Sequence, residues 1–330
     1  MLDTKDMKTI VLKHFKEEDI ASIKEIANRL IVTVKAGENL SIKKALEEEL
    51  AAHFPSLKTT VAFVKEYQEI NKDDGKWKIP GVKHIIAVSS GKGGVGKSTT
   101  SVNLALALAN QNLKVALFDA DIYGPSIPTM LGYKDVPPTS LDGVKFEPFK
   151  ECGIKSMSIG SMISKDTALI WRGAKACGAI EQLLTDTNWG KIDVMVIDMP
   201  PGTGDIQITM SQKINFSGAV VVSTPQDIAL IDAIKGVNLF NKIGVPVLGV
   251  VENMSYYICE ACGHRADIFG HEGAKKTASE YGVDFLGEIP LHYDIRINSD
   301  EGTPVVLSQP ESSYTKAYEE IAVKISNKLK

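Results

Sequence analysis

The sequence lacks long hydrophobic runs, blocks of basic residues and a large set of cysteines. No stretch approaches the roughly 18 consecutive apolar residues of a membrane-spanning helix, so we expect no membrane contact. Lysine and arginine are dispersed in a chain of formal net charge -4, which offers no electrostatic footprint for nucleic acid. Charges interrupt the amino-terminal residues, where a secretory signal would be apolar, so we expect a cytoplasmic protein.

Four cysteines in 330 residues are too few for a disulfide framework. Two of them, Cys259 and Cys262, form a CxxC pair, a spacing that points to metal or redox chemistry. A thioredoxin-like pair is disfavoured, because it would sit at a helix N-terminus after an early strand. Cys152 and Cys177 have no partner at ligand spacing, so we predict that they are small buried side chains.

The composition that remains is that of an ordinary globular protein, 44% hydrophobic and 24% charged. The length predicts one large domain of roughly 200 to 250 residues with a smaller one attached. We assign residues 1–68 to a small α/β module and residues 83–330 to the large domain. Between them, the polar residues 69–82 are predicted to form a linker.

The small module is predicted to contain a helical start, two strands and a helix between the strands. The strands are expected at Leu30–Val34 and Thr60–Val64. Between them, apolar residues recur at every fourth position from Ile42 to Phe54, behind Ser41 as the predicted N-cap. This period indicates a helix with one face on a sheet.

In the large domain, short β-branched runs alternate with helical stretches. The strands are predicted near residues 85–89, 115–118, 193–197, 218–223, 246–251 and 284–287. Several of these runs are continuously apolar, as strands are when helices cover both faces of a sheet. The sequence therefore predicts a doubly wound α/β fold with a mainly parallel sheet, in which ligands bind at the carboxyl ends of the strands.

A glycine-rich segment follows the first of these strands and opens a helix. Its sequence, GKGGVGKS, fulfils GxxxxGK[ST] in the strand-loop-helix context of a phosphate-binding P-loop. Backbone N–H groups would face the phosphates of ATP, Lys97 would bridge their oxygens and Ser98 would ligate Mg²⁺. The predicted nucleotide-binding residues of this segment are Gly91, Lys92, Gly93, Gly94, Val95, Gly96, Lys97, Ser98 and Thr99.

Polar side chains follow three further strands, in the order that P-loop proteins use. Asp119 and Asp121 follow the second strand, and Asp198 ends a buried apolar run. An aspartate at the latter position holds Mg²⁺ in phosphoryl-transfer proteins. Asn253 ends the fifth strand, where a turn asparagine and an adenine-binding asparagine both fit the sequence.

The lysine at the second position of GKGGVGKS gives the motif a family resemblance. It resembles the deviant Walker A motif of the P-loop NTPases that include the nitrogenase iron protein, the arsenical pump ATPase, MinD, ParA and the Mrp/ApbC iron-sulfur carriers. The resemblance implies a homodimer in which Lys92 reaches the nucleotide of the partner subunit. It further implies catalytic roles for Lys92, Lys97 and Asp121, with Asp121 activating the attacking water. Asp119 would support Mg²⁺ and Lys97, and Asn253 would contact adenine.

The segment around the CxxC pair narrows the resemblance. From Asn253 through Cys259 and Cys262 to Gly270 it closely resembles the Mrp/ApbC carriers. One CxxC supplies two thiolates where a cluster or a zinc site needs four ligands, and a two-fold dimer would complete the set. The resemblance implies a [4Fe-4S] cluster that is passed to apo iron-sulfur proteins. Zinc held by the same cysteines, or with His264, fits the spacing equally well.

The sequence leaves two other functions open beside an ATP-hydrolysing iron-sulfur carrier. A MinD/ParA-like positioning ATPase would need a membrane-targeting helix or a basic surface. The amphipathic stretch Tyr314–Leu329 is instead predicted to be a closing helix packed on the sheet. A zinc-stabilised ATPase switch would regulate a partner without carrying a cluster. The carrier is the function we expect, with slow hydrolysis typical of P-loop switches that await a partner.

Overall fold

The computed structural model describes residues 4–26, 29–34, 40–63, 75–162 and 173–330. The chain divides into two compact units. The smaller comprises Met1–Asp73 and Ser140–Val144, and the larger comprises Asp74–Thr139 and Lys145–Lys330. The division at Asp73 falls inside the predicted linker, residues 69–82.

Among its described residues, the smaller unit contains a three-stranded sheet and two helices. Its elements are α1 (Thr4–Val11), β1 (Ile20–Ile26), β2 (Arg29–Val34), α2 (Leu40–His53) and β3 (Lys58–Phe63). The central strand β2 pairs antiparallel with β1 and parallel with β3. Leu30 and Val32 of β2 pack with Leu46 and Leu50 of α2, so the predicted apolar face of this helix does cover the sheet.

Two features of the smaller unit differ from the sequence-based expectation. Ser41 is the second residue of α2, so its prediction as the N-cap is wrong. Strand β1 was not predicted, because its sequence, IASIKEI, does not alternate apolar and polar residues. Val64, the last residue of the second predicted strand, lies outside the described residues.

The larger unit contains the remaining elements. Its strands are β4 (Val82–Ser89), β5 (Val115–Asp119), β6 (Phe149–Glu151), β7 (Ile154–Ser158), β8 (Ile192–Asp198), β9 (Gly218–Ser223), β10 (Val247–Glu252), β11 (Tyr257–Ile258), β12 (Arg265–Ala266) and β13 (Phe285–Glu288). Its helices are α3 (Lys97–Ala109), α4 (Ile127–Met130), α5 (Gly173–Thr185), α6 (Asp205–Lys213), α7 (Asp227–Lys242), α8 (Gly273–Glu280), α9 (Tyr293–Glu301), α10 (Val305–Ser308) and α11 (Ser313–Lys328).

Eight of these strands form one sheet in the order β13-β10-β9-β4-β8-β5-β7-β6. All neighbours run parallel except β6, which pairs antiparallel with β7. The predicted doubly wound, mainly parallel sheet is therefore confirmed. The pair β6 and β7 was missed, since β6 is three residues long and reads FKE, without an apolar run.

Helices cover both faces of this sheet. One apolar core lies under α3, α4, α10 and α11, and the other under α5, α6, α7 and α8. Strands β5 and β9 are buried along their whole length, as strands between two helical layers must be. Tyr318, Ile321 and Ile325 of α11 are buried in the first core, so the closing helix is confirmed.

The second half of the predicted linker packs onto the larger unit. Trp77 and Ile79 lie in the core beneath α5 and α6, and the backbone N–H of Trp77 donates to the carbonyl of Lys213 at 2.7 Å. Two large apolar side chains hold this stretch to the core although its composition is polar, and residues 69–74 lie outside the described ranges. Among the helices that the structure describes, none is long and apolar enough to cross a bilayer.

Candidate nucleotide site and cysteine hairpin

The carboxyl ends of the central strands meet at one edge of the sheet. Asp119 at the end of β5 is the register partner of Asp198 at the end of β8, which also pairs with Val88 of β4. The P-loop leaves β4 at this edge and continues into α3, whose first residue is Lys97. The structure thus brings the predicted phosphate-binding and acidic residues together, where a doubly wound sheet binds its ligands.

The P-loop adopts a backbone that requires glycine at its end. Gly94 and Gly96 have φ angles of 80° and 78°, in the left-handed region. A Cβ on Gly96 would lie 2.1 Å from Nδ2 of Asn253, whereas a Cβ on Gly93 would meet nothing within 4 Å. The loop is therefore tightly packed at Gly96, where α3 begins, and has open space around Gly93.

Lys97 is only 6% exposed, and carboxylates hold its amine. Nζ lies 2.8 Å from Oδ1 of Asp198 and 3.8 Å from Oδ2 of Asp121. A buried ammonium needs such partners, because leaving it unpaired costs on the order of 3 to 5 kcal/mol. Of the two carboxylates in the Asp119–Asp121 segment it is Asp121 that approaches Lys97, and the expected contact from Asp119 is absent among these described residues.

Asp198 is completely buried and accepts hydrogen bonds from two serines as well as pairing with Lys97. Oγ of Ser98 donates to its Oδ2 at 2.6 Å, and Oγ of Ser101 donates to its Oδ1 at 2.7 Å. The adjacent oxygens of Ser98 and Asp198 form the hard-ligand set that suits Mg²⁺. Ser101 was missed from the sequence. Its signal is its place four residues after Lys97, on the same face of α3.

The carboxylate of Asp119 is directed at its own loop. It accepts from the N–H groups of Asp121 at 3.1 Å and Ile127 at 3.2 Å, and from the hydroxyl of Ser158 at 2.9 Å. Burial, and after it the Asp198 carboxylate, raises the pKa of Asp119 to about 7. Asp119 therefore shapes the loop after β5, and its support of Mg²⁺ stays a prediction. Ser158 could not be found from the sequence, since strand β7 was itself missed.

Asp121, the predicted catalytic carboxylate, is nearly buried beside Lys97. Its Oδ1 accepts from the N–H of Gly124 at 3.2 Å, which fixes the side chain against the loop. Burial raises the pKa of Asp121, and Lys97 opposes that shift. A carboxylate with a raised pKa is better matched to accepting a proton from water near neutral pH.

Lys92, within the loop, and Thr99, in the first turn of α3, are both half-buried. The carbonyl of Lys92 accepts from Oγ of Ser90 at 2.9 Å, and its amine has no ion-pair partner among the residues that the structure describes. The carbonyl of Thr99 accepts from Nδ2 of Asn103 at 2.9 Å. The contacts of both residues with nucleotide stay predictions.

Asn253 ties the end of β10 to the P-loop. Its Nδ2 donates to the carbonyl of Val95 at 2.8 Å, and its backbone N–H donates to the carbonyl of Ser223 at 2.8 Å. This contact with the loop was not predicted, because it joins residues 158 positions apart. The adenine contact of Asn253 stays a prediction. Because Nδ2 donates to Val95, the amide oxygen is the atom that would make this contact.

Cys259 and Cys262 lie in the turn of a small hairpin formed by β11 and β12. The turn is closed by hydrogen bonds from Cys259 N–H to the carbonyl of His264 at 2.9 Å and from Gly263 N–H to the carbonyl of Cys259 at 2.8 Å. Cys262 is exposed and Cys259 is half-buried. Hydrogen bonds from the backbone of Cys262 and of Ala261 lower the pKa of the Cys259 thiol, which favours the thiolate that binds metals.

One chain offers this hairpin too few ligands for a metal. Throughout the described ranges, no three His, Cys, Asp or Glu side chains come together in a way that could hold a metal ion. His264 therefore does not join Cys259 and Cys262 in a zinc site within one chain, although its position in the sequence allowed it. That Cys259 and Cys262 are half of a four-ligand site stays a prediction.

The other two cysteines are free thiols at the edges of the cores. Cys152 packs beside the core under α3, and Cys177 of α5 packs beside the opposite core. Both are half-buried, so the prediction of buried side chains is correct only in part. Burial raises the pKa of each thiol, which makes them poor metal ligands.

Comparison with known proteins supplies the family. Residues 81–326 match the family model described as ParA: NUBPL iron-transfer P-loop NTPase. The chain belongs to this family. The match confirms the resemblance that the P-loop and the CxxC segment indicated.

Relatives of this chain carry names from iron-sulfur metabolism. One from Escherichia coli (strain K12), named iron-sulfur cluster carrier protein, is 52% identical over 286 residues, which cover 87% of this chain and 74% of that protein. One from Mus musculus, named iron-sulfur cluster transfer protein NUBPL, is 52% identical over 254 residues, covering 76% of this chain and 79% of that protein.

Two solved structures similar to this chain are described as a nucleotide-binding protein and as an ATPase. A nucleotide-binding protein from Archaeoglobus fulgidus in complex with ADP has a TM-score of 0.64 and 36% identity, and covers 74% of this chain and 96% of its own. The cell division ATPase MinD from Pyrococcus furiosus has a TM-score of 0.57 and 26% identity, with 74% and 98% coverage. These similarities confirm the P-loop NTPase fold.

Proposed function

We propose that this iron-transfer P-loop NTPase hydrolyses Mg·ATP and, as a homodimer, carries a [4Fe-4S] cluster to apo iron-sulfur proteins. The observation that carries the proposal is the cysteine turn. It presents one exposed thiol and one thiol of lowered pKa, with no third ligand among the described residues. Two copies around a two-fold axis would supply the four thiolates of a cluster. A surface turn also suits a cargo that must leave again.

The nucleotide half of the proposal rests on the acidic edge of the sheet. The N–H groups of the P-loop and of the first turn of α3 would bind the phosphates of ATP. Lys97 would exchange Asp198 for the β- and γ-phosphate oxygens. Ser98 would ligate Mg²⁺ directly and Asp198 through water, and the cation would neutralise charge that develops on the phosphates.

Hydrolysis requires a group that acts on the attacking water. Asp121 lies beside Lys97 with its pKa raised, and we assign it the role of orienting that water and accepting its proton. Lys92 would reach the nucleotide of the second copy, which makes the dimer part of the ATP site. Thr99 would contact the α-phosphate, and the amide oxygen of Asn253 would accept from the amino group of adenine.

A zinc-stabilised ATPase switch is the competing proposal that uses the same residues. Zinc accepts four thiolates as readily as an iron-sulfur cluster does, so Cys259 and Cys262 do not distinguish the two. The names of the curated relatives favour the cluster. A positioning ATPase shares the fold of this chain, as the likeness to MinD shows, but gives the cysteine turn no role.

Anaerobic iron-sulfur reconstitution tests the carrier. Wild type is compared with Cys259→Ala/Cys262→Ala, and with Cys152→Ala/Cys177→Ala as the matched control that removes two cysteines elsewhere. Iron, sulfide and zinc are counted per dimer, and visible absorbance reports the cluster. We expect about four iron and four sulfide per dimer in wild type and control, and none in the first variant.

The outcomes separate the competing functions. Stoichiometric zinc without sulfide would replace the carrier with the zinc-stabilised switch. A cluster that survives in Cys259→Ala/Cys262→Ala would remove these cysteines from the site. Activation of an apo iron-sulfur enzyme by the loaded dimer then tests transfer, because a stable cluster that never activates the acceptor is a resident group and not a cargo.

A further inference from the structure

Two glutamates face each other on the neighbouring strands β10 and β13. Glu252 and Glu288 are register partners, and like charges placed in this way destabilise a sheet. Glu252 is moreover completely buried. Its carboxylate is compensated by the N–H of Ala274 and the hydroxyl of Ser255, both at 2.6 Å.

The hydroxyl of Ser255 lies between the two carboxylates. Its Oγ is 2.6 Å from Oε1 of Glu252 and 3.1 Å from Oε2 of Glu288. A hydroxyl has one proton to donate, so it can serve one of these glutamates at a time. The pair therefore has two arrangements, which differ in the glutamate that loses this donor.

Arg265 joins this pair to the cysteine hairpin. It belongs to β12, and its Nη1 and Nη2 donate to Oε1 and Oε2 of Glu288 at 3.2 and 3.3 Å. The guanidinium carbon also lies 4.0 Å from the ring centroid of Tyr256. Such a two-pronged contact fixes the direction of the side chain as well as its position, which a lysine cannot do. Arg265 thus links the hairpin to β13.

The other end of the pair leads to the nucleotide site. Asn253 directly follows Glu252, and its side chain donates to Val95 of the P-loop. The backbone of the same segment is bonded to the chain after β13, from Ile289 N–H to Glu252 O at 2.8 Å and from Ser255 N–H to Ile289 O at 2.9 Å. The shared hydroxyl of Ser255 therefore lies two residues after Asn253, which contacts the P-loop.

We propose that Arg265 is a positioning residue that couples the P-loop to the cysteine turn through Glu288 and the shared hydroxyl of Ser255. Nucleotide at the P-loop biases which glutamate receives the Ser255 proton. The hydrogen bonds between Glu288 and Arg265 change as a result. The position and exposure of the Cys259 and Cys262 thiols change with them. The proposal rests on the proposed function and names a regulation of its cargo site.

Thiol alkylation tests the coupling without any cluster. In metal-free protein, the rate at which iodoacetamide modifies Cys259 and Cys262 is measured by peptide mass spectrometry, with and without Mg·ADP or a slowly hydrolysed ATP analogue. We expect nucleotide to change this rate in wild type by about fivefold or more, the lower end of coupling between linked sites. Cys177 is the internal control, whose rate should not respond.

The rate ratio is the alkylation rate with nucleotide divided by the rate without it. Arg265→Gln is expected to bring this ratio to about one, while Mg·ADP affinity stays within about twofold of wild type. Arg265→Lys keeps the charge without the fork and should restore only part of the ratio. Arg296→Gln is the matched control, because Arg296 is an exposed arginine that pairs with Asp300 at 2.9 Å and lies over the ring of Tyr293, outside the hairpin. It should retain the wild-type ratio.

A wild-type ratio of one, or a ratio unchanged in Arg265→Gln, overturns the proposal. Should Arg265→Gln fail to fold, Ser255→Ala removes the shared hydroxyl without adding volume. In Ser255→Ala we expect nucleotide to have no effect on the alkylation rate. An effect as large as in wild type would refute the proposal. If reconstitution fails while nucleotide still changes the reactivity of Cys259 and Cys262, the carrier function is lost and the coupling stands. The two failures are therefore distinguishable.

Discussion

Replacing Gly96 with alanine tests how closely the P-loop is packed against the end of β10. At φ 78°, the new residue is held in the left-handed region, which costs roughly 1 to 2 kcal/mol. Its Cβ would also lie 2.1 Å from Nδ2 of Asn253, a side chain that is 5% exposed and is held by its hydrogen bond to the Val95 carbonyl. Overpacking of this kind costs roughly 1 to 3 kcal/mol. We expect Gly96→Ala to lower the free energy of unfolding by about 2 to 5 kcal/mol.

Urea unfolding followed by tryptophan fluorescence measures this change in the right part of the chain. The sequence has 3 tryptophans, and all of them belong to the larger unit, so the signal reports that unit alone. Gly178→Ala is the matched control. Gly178 lies exposed within α5, where a Cβ meets nothing within 4 Å, and alanine should there be neutral or stabilising.

A double-mutant cycle separates the clash from the backbone strain. Asn253→Ala alone should cost about 1 to 3 kcal/mol, because it leaves the Val95 carbonyl without its donor. In Gly96→Ala/Asn253→Ala the clash is gone, so the double variant should be more stable than the sum of the single changes by about 1 to 3 kcal/mol. Strict additivity, or a Gly96→Ala variant within about 0.5 kcal/mol of wild type, would refute the packing described here.

Three further predictions concern the acidic edge and the cysteine turn. Lys97→Ala should abolish ATP hydrolysis yet still bind a cluster, and Cys259→Ala should hydrolyse ATP without binding a cluster. Phosphate release measures hydrolysis and iron content measures the cluster. Loss of both properties in either variant contradicts the separation of the sites. Ser101→Ala should lower the free energy of unfolding by about 1 to 3 kcal/mol, since Asp198 loses a buried donor, and an unchanged urea midpoint would speak against that bond. Between pH 3.8 and about 7, folded Asp119 binds more protons than unfolded Asp119, so its contribution to the free energy of unfolding falls as the pH rises. Urea titrations at several pH values should show a weaker fall in Asp119→Asn than in wild type. An equal dependence on pH in both proteins is the contrary result.

The phosphate-binding part of the site was predictable because it is local in sequence. From Gly91 to Ser98 the loop carries its own pattern of glycines, a lysine and a serine, and β4 and α3 frame it in the expected order. Asp198 was found for a related reason, since an apolar run that ends in an acid marks the end of a buried strand. In both cases the chemistry depends on neighbours along the chain.

The contacts that shape the site were not predictable, because they join distant residues. Ser158 donates to Asp119 across the pair β5 and β7, and Asn253 reaches Val95 across β9 and β4. Neither residue type is unusual in its own segment. In the sequence, Arg265 is likewise an ordinary charged residue near two cysteines. Its contact with Glu288 depends on the position of β13, which the sequence does not give. Such pairs are set by the order of strands in the sheet, which a single sequence does not contain.

The ion pair between Lys97 and Asp198 compensates two charges that are both buried. If nucleotide binds as proposed, its phosphates would take the ammonium of Lys97 from Asp198, and this fully buried aspartate would lose its cation. A nucleotide that arrives with a divalent metal brings the replacement charge, and a bare nucleotide does not. Under the proposed function, this buried ion pair would therefore favour the metal-bound nucleotide over the free one.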